Sequence, residues 1–112
     1  MGDRYSLDPK TWSIRDWKNI AWESVHADSL VCPTPAFVFA LILSSDGGGE
    51  ADAIVYDSTS LQATGKHIHL YSADEENWGE TFCPPLYFHQ GIYVDLGTNA
   101  EAVLIQYLPW RD

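Results

Sequence analysis

The chain has 112 residues, 46% of them apolar, which is enough for one core and one domain and too many for a disordered segment. Sixteen Asp and Glu against six Lys and Arg give a net charge of −10. That balance argues against nucleic acid, whose binding rests on Lys and Arg neutralising phosphates, and against docking on an anionic membrane.

The charge is unevenly placed. Arg4, Lys10, Arg15 and Lys18 are balanced by Asp3, Asp8, Asp16 and Glu23, so residues 24–112 carry the whole −10. An aromatic arm (residues 1–28), neutral over residues 1–23, on an acidic body (residues 29–112) is the expected organisation. The opening MGDRYSLDPK has no apolar stretch of the kind a secretory signal needs. Met1-Gly2 with Ser6 matches the myristoylation pattern formally, and a chance match is the expectation.

Within the arm, Asp8-Pro9 reads as a helix start and Ser13-Ile14-Arg15-Asp16 as a short capping box. Ile14, Trp17, Ala21 and Val25 follow roughly helical spacing, which predicts a short helix near residues 13–24. Trp12, Trp17 and Trp22, however, recur every five residues and spread around a helix instead of forming one stripe. The segment is therefore either irregular or covered on more than one side.

Strands follow. Ala36–Leu43 is a continuous apolar run, the mark of a strand covered on both faces, and far too short to cross a bilayer. Ser44–Gly49 is a loop, Ala51–Asp57 the next strand, and Ser58–Lys66 a polar connection. His67–Tyr71 alternates with Ile68 and Leu70 inward. Asp74–Asn77 is an exposed acidic turn. Trp78–Phe82 and Leu86–His89 read as two short strands broken at Cys83-Pro84-Pro85. Gly91–Leu96 alternates again, with Ile92, Val94 and Leu96 on one face, and Ala102–Leu108 closes the series. The pattern predicts an all-β protein, a single antiparallel, jelly-roll-like β-sandwich behind an extended or short-helical arm.

Catalytic and metal patterns are weak. His67 and His69 share a strand face and could chelate with His89 or His26, but no carboxylate or cysteine stands at a recognisable ligand spacing. Asp46, Glu50 and Asp52 flank Gly47–Gly49 without the calcium-loop pattern. The same glycines lack the Lys-Ser/Thr of a phosphate loop, and the Ser, His and Asp residues lack a nucleophile elbow. No enzyme, cofactor or metal is therefore expected. Cys32 and Cys83 each precede proline, and two buried free thiols are expected, with one disulfide as the alternative.

Residues 54–57 (IVYD), 64–65 (TG) and 88–96 (FHQGIYVDL) together resemble small β-sandwich proteins found among the structural genes of tailed phages and prophages. The resemblance covers roughly residues 29–108. It implies a virion component assembled in the host cytoplasm: a capsid decoration (cement) protein or part of the connector, tail or baseplate. Its partner would be the major capsid protein or another virion protein, and a homo-oligomer, with a trimer favoured, would form the lattice contact. Three tryptophans within eleven residues suit burial at an interface, so Trp12, Trp17, Trp22, Arg15 and Lys18 are the candidate contact residues. The alternative from another class is a carbohydrate-binding module using Tyr71, Trp78, Tyr87, Tyr93 or Trp110 as stacking platforms.

Overall fold

The computed structural model describes residues 20–60, 65–73 and 76–109. Among them there is no helix. Eight strands, β1 (Ala21–Val25), β2 (Ser29–Cys32), β3 (Ala36–Ser45), β4 (Ala51–Asp57), β5 (His67–Ser72), β6 (Asn77–Phe88), β7 (Ile92–Leu96) and β8 (Ala100–Pro109), form two four-stranded sheets. Sheet A runs β1-β8-β3-β6 and sheet B runs β2-β7-β4-β5, with every neighbouring pair antiparallel.

The core lies between the sheets, and strand alternation builds it. Ala51, Ala53 and Val55 of β4, Leu70 of β5, and Ile92 and Val94 of β7 point inward from sheet B. Val38, Leu41 and Leu43 of β3 and Val103 and Ile105 of β8 meet them from sheet A, all essentially inaccessible to water. Each buried Leu, Ile or Val stabilises the fold by about 1.5–3 kcal/mol relative to exposure. Tyr107 brings a phenol into this cluster, and its hydroxyl donates to Glu23 Oε1 at 2.8 Å.

β3 shows why a strand can be apolar without alternating. Its pairing with β8 steps from Val38↔Tyr107 to Ala40↔Gln106, leaving Phe39 as an extra residue. That bulge changes the inward set from Ala36 and Val38 to Leu41 and Leu43. Phe37 and Ala40, on the opposite face, are buried too, whereas Ile42 on that face is exposed.

Three sequence expectations need correction. The break predicted at Cys83-Pro84-Pro85 is not a break. β6 is one strand whose pairing jumps from Leu86↔Val38 to Thr81↔Ala40, so residues 82–85 bulge out around a cis Cys83-Pro84 bond. The prolines are tolerated because β6 is a sheet edge, where a missing N–H costs no ladder bond. The described part of the predicted 13–24 helix is also different: residues 21–25 form β1, paired along its length with β8. Trp22, Glu23 and Ser24 are consecutive exposed residues, which offer no helical stripe, and β8 supplies backbone partners instead. Residues 13–19 lie outside the described residues. Finally, both cysteines are free, Cys32 buried as expected but Cys83 exposed, because it sits in the edge bulge.

Candidate functional site

Of the residues expected at an interface, Trp12, Arg15, Trp17 and Lys18 lie outside the described residues. Trp22 stands on β1 opposite Gln106 and is 66% exposed. It belongs to the outer face of sheet A, where cross-strand rows place apolar groups side by side. One row is Leu108–Phe37–Tyr87, with the Phe37 and Tyr87 rings 5.0 Å apart. Another is Leu104–Ile42–Gly79, in which a Cβ on Gly79 would press on the Ile42 side chain. Trp22, Ile42 and Tyr87 are the exposed large side chains of this face.

The outer face of sheet B has a different chemistry. Leu30, Tyr93, Tyr56 and His67 form one cross-strand row, and Asp95, Ile54 and His69 the next. Asp52 and Tyr71 form the third. His69 and Tyr71 stack at 4.2 Å, and the Tyr71 hydroxyl lies 3.0 Å from His69 Nδ1. His69 Nε2 is 3.0 Å from Asp52 Oδ2. Because a carboxylate only accepts, neutral His69 donates from Nε2 to Asp52 and accepts from Tyr71 at Nδ1. Asp52 is held in turn by the Thr98 amide, which donates to Oδ1 at 2.8 Å, and the Gly97 amide donates to its main-chain carbonyl at 2.9 Å. A side chain at Gly97 would collide with the Asp52 carboxylate. Lower on the face, burial first and then the neighbouring charge of Asp28 push the Asp95 carboxyl above the ordinary carboxylate range.

A groove of about 390 Å³ lies on the side where β5 and β6, each an edge strand of its sheet among the described residues, run next to each other. Ile68, Leu86, Tyr87 and Phe88 supply its apolar wall, and Lys66 and His67 its rim. A second recess of about 390 Å³ shares Asp57 and Lys66 with the first and adds His89 and Gln90. Asp57, at the end of β4, is buried. One of its oxygens accepts the His89 amide at 2.9 Å and the other the Gln90 amide at 2.8 Å. The Asp57 amide donates to the Lys66 carbonyl at 2.8 Å, which fixes the turn that presents Lys66. His67 Nδ1 lies 2.8 Å from the Gly65 carbonyl, so its proton is on Nδ1 and Nε2 is left for a partner.

The four histidines do not converge. Among the described residues no group of three or more His, Cys, Asp or Glu is placed to hold a metal ion. Of the residues weighed for calcium, Asp46 accepts the Gly48 amide within its own loop and Asp52 serves Thr98 and His69. Of the aromatics weighed as platforms, Trp78 packs against the core, Tyr93 is half-buried, Tyr87 is 39% and Tyr71 62% exposed, and Trp110 lies outside the described residues. Sequence reasoning missed Asp57 and the groove. The visible signal was Lys66, a solitary cation in a long acidic stretch.

Comparison of the chain with protein-family models, with curated proteins and with solved structures gave no match.

Proposed function

We propose that this chain is a non-enzymatic structural protein of a phage particle, and within that class a capsid decoration protein that binds and stabilises the capsid lattice. The observation that carries the reading is the strand order. The orders β1-β8-β3-β6 and β2-β7-β4-β5 support a jelly-roll reading, with two interlocked Greek keys, an architecture common in viral capsid and lectin domains. Fold analogy alone says little about role. Its weight here comes from joining it to the phage-like run at residues 54–57, 64–65 and 88–96, and to the apolar outer face of sheet A with Trp22 at its edge.

In this reading the protein acts through surface burial. Trp22, with Trp12 and Trp17 of the same aromatic arm, anchors the contact, and Arg15 and Lys18 meet acidic neighbours. A trimer places three such contacts around one lattice axis. The acidic remainder keeps the decorated particle from self-association. Quantitative mass spectrometry of purified particles from the source tests the assignment. Abundance comparable with the major capsid protein is expected for decoration, and a small fraction of it moves the protein to the connector, tail or baseplate. Absence from particles overturns the virion reading.

A second reading, a carbohydrate-binding module, is favoured by one feature. Tyr71 is the most exposed tyrosine among the described residues, with its ring stacked on His69 and held by the bonds described above. A glycan array with wild type and Tyr71→Ala separates the two readings, since only a sugar binder loses a specific signal.

A further inference from the structure

We infer that the groove between the edges of β5 and β6 is a binding site for a small organic acid, a carboxylate carried on an apolar or aromatic body. The inference is independent of whether the protein works on a virion.

The wall and the rim ask for different halves of one ligand. Ile68, Leu86 and Phe88 offer an apolar wall within a volume of about 390 Å³, inside the size range of small-molecule sites. The rim offers a cation. Lys66 is the only Lys or Arg among the described residues, against ten Asp and Glu, and it makes no ion pair with any described residue. The His67 ring and, in the adjoining recess, His89 and Gln90 stand around it.

Among the described residues that line the groove, Asp57 is the one carboxylate, and its geometry decides the sign of the site. Both its oxygens accept main-chain amides, of His89 and Gln90, and little of it meets water. Its charge is thereby held inward by two charge-assisted bonds. Lys66 shares the groove with Asp57 without bonding to its carboxylate, and its ammonium is left for an incoming anion. On a chain of net charge −10, an unpaired ammonium beside a carboxylate that is already satisfied favours an incoming anion.

The test uses the full chain, isotope-labelled, titrated with 4-phenylbutyrate and, separately, with its neutral amide. Saturable amide shifts confined to residues 65–68 and 86–90 are expected with the acid. The neutral amide should bind about tenfold more weakly or worse, the equivalent of one charge-assisted contact. Lys66→Ala should weaken the acid by a similar factor and Lys66→Arg should restore it. Lys66 is exposed, so neither variant threatens the fold. Shifts scattered over the surface, equal binding of acid and amide, or Lys66→Ala binding as wild type would each overturn the assignment.

Discussion

The amide of His89, just past β6 of sheet A, donates to the carboxylate of Asp57, the last residue of β4 in sheet B, at 2.9 Å. One carboxylate thus joins the end of one sheet to the segment leaving the other. A second bond, from Gln90, makes the joint bidentate.

Asp57→Asn should destabilise the protein by about 1–3 kcal/mol, since one acceptor becomes an NH₂ facing a main-chain N–H in a buried place. Urea denaturation would show it as a lower midpoint at unchanged slope. A variant as stable as wild type would remove Asp57 from this role.

Leu41→Ala tests the bulged strand that centres sheet A. Leu41 is wholly buried between the sheets, so the loss should be about 2–5 kcal/mol. Trp22→Ala, by contrast, should change the stability of the isolated chain by no more than about 0.5 kcal/mol, because the side chain is 66% exposed. The same substitution should abolish binding to assembled capsids if Trp22 is an anchor.

Asp95 gives a pH prediction whose sign follows from its raised carboxyl pKa. The folded state holds this proton more tightly than the unfolded chain does, so folding stability is lost as pH rises from the ordinary value of 3.8 through the folded one. At neutral pH the charged form is penalised by burial and by Asp28. Asp95→Asn should therefore raise the melting temperature at pH 7, and the gain should vanish below the ordinary carboxylate value. Thermal melts of both proteins across acid pH would decide it.

Tyr107 gives the alkaline counterpart. Burial first, and then the bond to Glu23, push its phenol far above the ordinary 10.0. The unfolded chain ionises this tyrosine first, so stability should fall as pH rises past that ordinary value. Ultraviolet titration should show one tyrosine that ionises only on unfolding. Tyr107→Phe should remove that part of the alkaline loss, at a cost of about 0.5–1.5 kcal/mol at neutral pH for the bond to Glu23.

The strands that alternate were legible in sequence. β5 and β7 place Leu70, Ile92 and Val94 in the core as their patterns predict, because period-two alternation reports a face directly. β1 was not legible, since Trp22-Glu23-Ser24 is exposed on both faces of an edge strand and carries no periodic signal. β6 was misread because prolines mark a break by their local chemistry. Only the neighbouring strand reveals that the chain resumes pairing beyond them. The groove was hidden for a related reason: Asp57, Lys66, Leu86 and His89 come together only when the two sheet edges are laid side by side.

The bulge at Phe39 makes β3 unequal in its tolerance of length change. Removing one residue elsewhere in the strand would rotate everything beyond it by half a turn and exchange wet and dry faces. Removing Phe39 itself would bring Val38 and Leu41 into ordinary alternation against β8, with both halves still directed inward. Single-residue deletions in β3 should be survivable at this position and at few others.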